Sequence, residues 1–333
     1  MNQVIKHLLK QREALLALVI VLLICAVGLR APLFISASSL HNLLTDSTLL
    51  IMLALAQMFV IITRGIDLSV ASNLALSGMM AALLAAKMPA LPVPVIILVA
   101  VSIGLVLGLL NGWLIGYLEL PPIVVTLGTM SVYRGLVFVL SGGAWVSSHH
   151  MPPAFIAFPL NQFLGVTHLV WIALGVILLT WYMARYTRYG RDLYAIGNAP
   201  TSARYVGINS AQRLLMVYAF SGAMAGLCGY LWVARYAVAY SEIAYGFEFT
   251  VIAACVIGGV SIAGGAGTVT GAALGGLFLA VINNALPIIK VSPFWQSALT
   301  GLVILSAVII NARSNRKAGR QILPLHLPTR SPA

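Results

Sequence analysis

ARYTRYGRDLYAIGNAPTSARYVGINSAQR, from Ala184 to Arg213, is a long polar and basic stretch set between segments that are almost wholly apolar. An apolar run of roughly 18 residues or more reads as a membrane-spanning helix. The stretch is therefore a loop between two such helices. Within it, Pro200 suits a first helical position, where its missing N–H costs nothing. Gly207 suits the stop. Thr201 to Val206 is then a short helix carrying Arg204, presented to a partner on that side of the membrane. The alternative is a linker lying along the membrane surface.

Composition agrees with the flanks. The 333 residues are 61% hydrophobic and 8% charged, with a mean hydropathy of +1.01. A soluble domain carries roughly 25% charged residues, so this chain is not solvated by water alone. The net charge of +12 does not signal nucleic acid, because most basic residues flank apolar runs, as the positive-inside rule expects.

Ten spans are expected, at about residues 13–30, 43–63, 68–87, 93–118, 122–141, 168–184, 212–235, 249–262, 268–289 and 294–311. An even number puts both termini on one side. If that side is the cytoplasm, Lys6, Lys10, Arg12, Arg64, the island arginines and the tail arginines lie inside. Only Arg30, Lys87, Arg235 and Lys290 lie outside, and Arg134 falls within a span. The expectation is an all-α polytopic membrane protein of about ten transmembrane helices with both termini cytoplasmic. It comprises an N-terminus (1–12), one transmembrane domain (13–312) and a tail (313–333). The inner loop is 185–212 and the outer loop, polar and aromatic, is 142–167. The basic N-terminus followed by Ala14 to Leu29 has the outline of a signal peptide. With further spans behind it, it reads as an uncleaved first span.

Within the spans, Gly104, Gly108, Gly112 and Gly116 recur every fourth residue, as do Gly267, Gly271 and Gly275, with Gly222 and Gly226 in a third span. Such a face admits another helix at close range; it is either a packing surface or a pore lining. Asp67, in TRGIDLSV between spans two and three, is a buried-acid candidate. It is read as a functional ionisable group, or with Ser69 as a cap for the next helix. Arg134 either pairs with a carboxylate or polar solute, or snorkels to the outer interface. Asn73, Asn111, Thr126, Tyr133, Asn283 and Asn284 are neutral polar groups that line a pathway or bond across helices.

Several chemistries lack their parts. No GxxxxGK[ST] occurs and no Lys follows a Gly, so the phosphate-cradling loop of an ATPase is missing. His149 and His150 have no third ligand at metal-binding spacing. Cys25, Cys228 and Cys255 lie in apolar segments and read as small core residues. No catalytic site, cofactor or metal is expected.

GIDLSV after span two, VTLGT with YRG in span five, AIGNAPTSARYVGI in the island and VIGGVSIAGGAGTVTGAALGG at 256–276 resemble the permease subunits of bacterial ABC sugar importers. The group is the ribose, xylose, galactose, rhamnose and autoinducer-2 type, and the outline is closest to the rhamnose and autoinducer-2 permeases. The resemblance runs from about residue 13 to 312 in the same order. It implies a single permease domain in the bacterial inner membrane and a second permease subunit beside it. A cytoplasmic ABC ATPase subunit would bind the ATP, and a periplasmic sugar-binding protein would deliver solute. It also implies that Gly197, Asn198, Ala199, Pro200, Thr201, Ala203, Arg204, Gly207 and Ile208 form the coupling segment seated on the ATPase. The sequence departs from many members at Asn198-Ala199-Pro200, which is uncharged where they carry an acid.

The function so implied is import of a monosaccharide or similar small polyol-like solute. Asp67, Ser69, Asn73, Asn111, Thr126, Tyr133, Arg134 and Asn283 are the candidate pathway residues. The alternative is an ion-coupled secondary transporter, which needs intramembrane carboxylates; here Asp67 is the one candidate away from span ends. A membrane-embedded enzyme would need a nucleophilic or metal cluster within the spans, and none is legible.

Overall fold

The computed structural model describes residues 12–288 and, beyond them, residues 290, 295, 298, 301, 302, 305 and 306. The expected tenth span (294–311), the tail (313–333) and the N-terminal residues before Arg12 lie largely outside the described residues. The helices are α1 (Arg12–Arg30), α2 (Ala37–Ile62), α3 (Val70–Lys87), α4 (Val93–Gly116), α5 (Pro122–Ser141) and α6 (Pro153–Leu160). They continue with α7 (His168–Tyr186), α8 (Arg188–Asn198), α9 (Pro200–Tyr205), α10 (Ser210–Tyr236), α11 (Phe247–Ile257) and α12 (Val269–Ile288). Four two-residue strands pair as β1 (Val146–Ser147) with β4 (Val238–Ala239), and β2 (Gln162–Phe163) with β3 (Val166–Thr167). The protein is an all-α polytopic membrane protein.

Among the described residues, eight helices are long and apolar enough to cross a membrane: α1, α2, α3, α4, α5, α7, α10 and α12. They correspond to the first seven expected spans and the ninth. The expected eighth span, 249–262, is corrected. Its helix stops at Ile257, and Gly259, Gly264 and Gly265 then adopt positive φ, which ends helical hydrogen bonding. Eleven residues at about 1.5 Å each do not cross a bilayer.

Local chemistry sets the helix ends. Ser36 caps α2 by accepting from the Ser39 N–H at 3.3 Å, and α2 begins six residues before the expected 43. Asn209 caps α10 by accepting from Gln212 N–H at 3.0 Å. At the far end of α2, Arg64 turns the chain with φ +67, a left-handed conformation uncommon for a residue with a side chain. The chain then runs irregularly through Gly65–Ser69 before α3.

α2 is the inner helix, with 94% of its most apolar window buried, against 22% for α4, α5 and α7. α12, α10, α11 and α7 surround it, while α10 also packs along α4 and α3. The α4–α10 contact is the glycine face. A Cβ on Gly108 would sit 2.9 Å from Gly222 Cα, and one on Gly104 2.7 Å from Gly226 Cα. A Cβ on Gly112 would sit 2.8 Å from Leu215 Cα, and one on Gly116 2.6 Å from the Ala211 carbonyl oxygen. Backbone therefore meets backbone, and dispersion between the two helices replaces the hydrophobic drive that lipid does not supply. Gly271 and Gly275 likewise pack α12 onto Ala254 and Gly258, and Gly267 onto Val260. Gly104, Gly108, Gly112, Gly116, Gly271 and Gly275 thus lie at close helix contacts, whereas Gly267 sits in the loop before α12.

Two expectations about exposure change. The outer loop folds into α6 and two strand pairs, because Phe155 is fully buried and its carbonyl accepts from Tyr230 OH at 3.0 Å. Cys228 and Cys255 are buried, but Cys25 is exposed on α1 and is not a core residue.

Candidate functional site

The irregular turn between α2 and α3 is wrapped by buried polar side chains from four helices. Asp67 is 3% exposed. Its Oδ1 accepts from Ser69 N–H (2.9 Å) and Ser69 Oγ (2.7 Å), and its Oδ2 accepts from Ser221 Oγ of α10 (3.0 Å). Asn111 Nδ2 of α4 donates to Ser69 Oγ (2.8 Å), and Thr126 Oγ1 of α5 to the Ile66 carbonyl (3.1 Å). One turn into α3, Asn73 Nδ2 donates to the Gly104 carbonyl (3.1 Å), and Tyr133 OH of α5 to that of Leu107 (2.9 Å).

These bonds bring together Asp67, Ser69, Asn73, Asn111, Thr126 and Tyr133 about one break in the helix ladder. Unsatisfied polar groups are costly in a lipid setting, and broken backbone survives there only where protein encloses it. Asp67 satisfies the turn itself rather than the first N–H groups inside α3, and Ser69 makes no side-chain cap bond to that helix. No basic side chain forms an ion pair with Asp67 among the described residues. Tyr218 OH and Asn111 Oδ1, both beside this turn, are buried without a partner among the described residues.

Arg134 and Asn283 stand apart from this cluster. Arg134 donates to the backbone carbonyls of Ile243 (2.7 Å) and Ala244 (3.1 Å), with its guanidinium 5.6 Å from the Tyr245 ring centre. It neither pairs with a carboxylate nor reaches free into an interface. It braces the turn that leads into α11. Asn283 lies near the end of α12, beside a separate cavity.

The basic island folds as two helices. α8 is amphipathic and buries Leu193 and Ile196, while Thr187 caps it by accepting from Gly190 N–H at 3.1 Å. α9 is the helix expected from sequence; α8 is an additional one, whose helical period is carried by Leu193, Ile196 and the flanking polar positions. Pro200 opens α9. Ile208 N–H donates to the Ala203 carbonyl and Gly207 N–H to that of Arg204, each at 3.0 Å, with Gly207 at φ +84. This is the paired C-terminal lock that needs a left-handed residue after the helix.

The expected coupling residues divide by burial. Gly197 and Ala203 are buried, Ile208 is partly so, and Asn198, Thr201, Arg204 and Gly207 are exposed. Arg204 is engaged with Glu119 at 3.0 Å, but both side chains are largely exposed, where such a pair is worth about 0–1 kcal/mol. Tyr205 and Val206 are large apolar side chains left 86% and 75% exposed. An exposed ring beside an exposed Val on a six-residue helix is the signal that charge-led reading passed over.

α8 and α9 are fastened to the helix break. Arg64 Nε donates to the Gly197 carbonyl at 2.7 Å, and its Nη2 to that of Asn198 at 3.1 Å. Gly265 N–H donates to the Ile62 carbonyl at 2.9 Å. A Cβ on Gly197 would collide with that carbonyl and with Gly265 N. Tyr194 OH donates to the Gly267 carbonyl at 2.8 Å. The end of α2, the end of α8 and the glycine loop after α11 thus meet at one joint. No cluster of metal-ligating side chains occurs among the described residues.

A bundle of spanning helices with a buried polar turn, tied to a short helix outside the bundle, defines a membrane transport subunit. The chain belongs to the family described as "Branched-chain amino acid transport system / permease component", which matches residues 39–308. It is similar to the autoinducer 2 import system permease protein LsrC of Salmonella typhi, with 33% identity over 93% of this chain and 88% of that protein. The corresponding proteins of Escherichia coli strain K12 / DH10B and Shigella flexneri are 32% and 31% identical, each over 93% of this chain and 89% of theirs. No solved structure matches. The protein is thus a permease component of an ABC-type transport system, and a multi-pass protein of the bacterial inner membrane.

Proposed function

We propose that this chain forms the translocation path of an importer whose ATP is bound and hydrolysed by a separate cytoplasmic subunit seated on α9. The solute is a monosaccharide or similar small polyol-like molecule, of the rhamnose, ribose-type or autoinducer-2 class. The relatives named for autoinducer 2 import support that class. A second permease subunit, identical or related, completes the path, and a periplasmic binding protein delivers the solute. α9 and both termini face the cytoplasm, as the clustering of arginines around α8 and α9 supports.

The observation that carries this reading is the joint at Arg64. A helix with an exposed apolar tip, Tyr205–Val206, is suited to a partner's groove. The Arg64 clasp on Gly197 and Asn198 links the base of that helix to the turn holding Asp67. Rigid-body movement of α9 would therefore reach the polar turn without passing through a flexible linker.

The test uses Tyr205→Ala and Gly207→Val in the complete transporter. Gly207→Val places a β-branched residue at φ +84, where it is strained, and so unwinds the end of α9. Both should reach the membrane normally, lose co-purifying ATPase subunit, and import about tenfold less solute, the equivalent of about 1.4 kcal/mol. Normal import by both variants sinks the docking reading. Ion-coupled transport is the second reading, and buried Asp67, with no cationic partner among the described residues, is the observation that favours it.

A further inference from the structure

At the opposite end of α10 from α9, a cavity of about 240 Å³ opens between α2, α10, α11 and α12. Asp46, Trp232, Tyr236, Phe247, Asn283 and Asn284 are among its lining residues, with Leu49 and Leu50 supplying apolar wall. Drug-sized ligands occupy roughly 300–1,000 Å³, so this cavity suits a smaller solute of one ring.

Its chemistry is specific. Arg235 donates through Nε (3.0 Å) and Nη2 (2.9 Å) to the same oxygen of Asp46, Oδ1. The pair cancels net charge and leaves Oδ2 of Asp46 without a donor in the described hydrogen bonds. Asn283 Oδ1 is buried and has no partner among the described residues. Asn284 commits its Nδ2 to the Ala280 carbonyl at 3.0 Å, which leaves its own amide oxygen as an acceptor. Trp232 packs edgewise on Phe247 with ring centres 5.0 Å apart, and lies 5.2 Å from Tyr236 on the next turn of α10. These contacts hold the indole in place.

We infer that this cavity is a binding station for a neutral, polyhydroxylated single-ring solute, resting on the import reading above. The acceptors of Asp46, Asn283 and Asn284 take hydroxyl donors. The aromatic side of the cavity, Trp232 and Tyr236, takes the C–H face of the ring. Among the described lining residues a cation or anion would find no uncompensated charge, and a purely apolar solute would leave the buried Asn283 Oδ1 unpaired at the cost of its desolvation. The station lies about one span length from the cytoplasmic joint, since α10 has 27 residues at about 1.5 Å each. It is therefore an entry site rather than part of the Asp67 turn.

The test measures uptake by cells carrying the complete transporter, first with labelled pentoses, deoxyhexoses and linear polyols. Import of none overturns the import reading, and the station falls with it. For an imported solute, maximal rates are compared with those of its single-deoxy analogues at concentrations that saturate delivery. Wild type should move at least one analogue about tenfold more slowly, because a site built for a hydroxyl rejects its absence. Asn283→Ala, at wild-type membrane level, should slow the parent solute and erase that difference. Equal wild-type rates for the parent and every analogue overturn the station while leaving import intact, as does a ratio unmoved by Asn283→Ala. Tyr236→Ala, at a half-exposed position, decides the matter where Asn283→Ala fails to insert. It should slow parent and analogues alike by about threefold, and unchanged import overturns the station.

Discussion

Arg64 concentrates the chemistry of this molecule in one side chain. Its sequence context marks it only as a cationic residue at the inner end of a span. Its partners, the carbonyls of Gly197 and Asn198, lie more than a hundred residues away, and no local pattern records them. Arg64→Gly separates two effects, since it relieves the φ of +67 but removes the guanidinium. Because Arg64 is exposed, each lost bond costs little stability, about 1 kcal/mol. Arg64→Gly should therefore insert and retain its ATPase partner, yet import at least about tenfold less per ATP hydrolysed, with Arg64→Lys intermediate. Wild-type coupling in Arg64→Gly removes the joint from the mechanism.

Asp67 is legible as unusual from sequence, but its role depends on neighbours. An Asn side chain retains the acceptor for Ser69 and can donate to Ser221 Oγ, so Asp67→Asn preserves the geometry of the turn. Under the ATP-driven reading, this variant should keep import within about threefold of wild type, a loss under about 1 kcal/mol. Abolished import with normal membrane level would instead select ion coupling. Arg134 teaches the converse lesson. Its charge suggested a carboxylate or solute, and folding gave it backbone carbonyls that only the 241–244 turn supplies.

At the scale of elements, the four-residue glycine spacing was readable in α4, and so was the need for a close partner. The identity of that partner was not readable, because several spans carry small residues. The structure pairs Gly108 with Gly222. Gly108→Ala should already destabilise the detergent-solubilised protein by about 1–3 kcal/mol, the usual range for overpacking, seen as a lower Tm. Gly108→Leu should deplete the protein from the membrane altogether. A Leu variant with normal level and Tm would remove the backbone-to-backbone account of this contact. α11 shows the limit of hydropathy. Residues 249–262 are apolar enough for a span, but glycines at positive φ end the helix at Ile257, and hydropathy does not register dihedral freedom.

Across the whole molecule, the two ends of the bundle have different characters. One end carries the arginine-rich α8 and α9, the Arg64 joint and the exposed Tyr205–Val206 tip. The other carries α6, the short strand pairs and the cavity lined by Asp46, Trp232 and Asn283. Between them lies the buried polar turn, enclosed by α3, α4, α5 and α10. On the proposed reading, the candidate entry cavity, the buried polar turn and the candidate docking helix follow one another along the bundle. That order is what an importer driven from its cytoplasmic face requires.

By itself, the sequence determined the solvent of this protein, the number and order of most spans, the spacing of the glycine faces and the two ends of α9. Each of these is set by local physics: hydropathy summed over a window, helical periodicity, or the backbone preferences of Pro and Gly. Tertiary structure alone decided which glycine faces meet, that Arg64 clasps the end of α8, that Arg134 braces a turn, and that Asp46 and Asn283 share a cavity. Those contacts join residues far apart in the chain. Their geometry comes from how the helices pack, so a one-dimensional pattern supplies the candidates and only the folded bundle supplies the pairs.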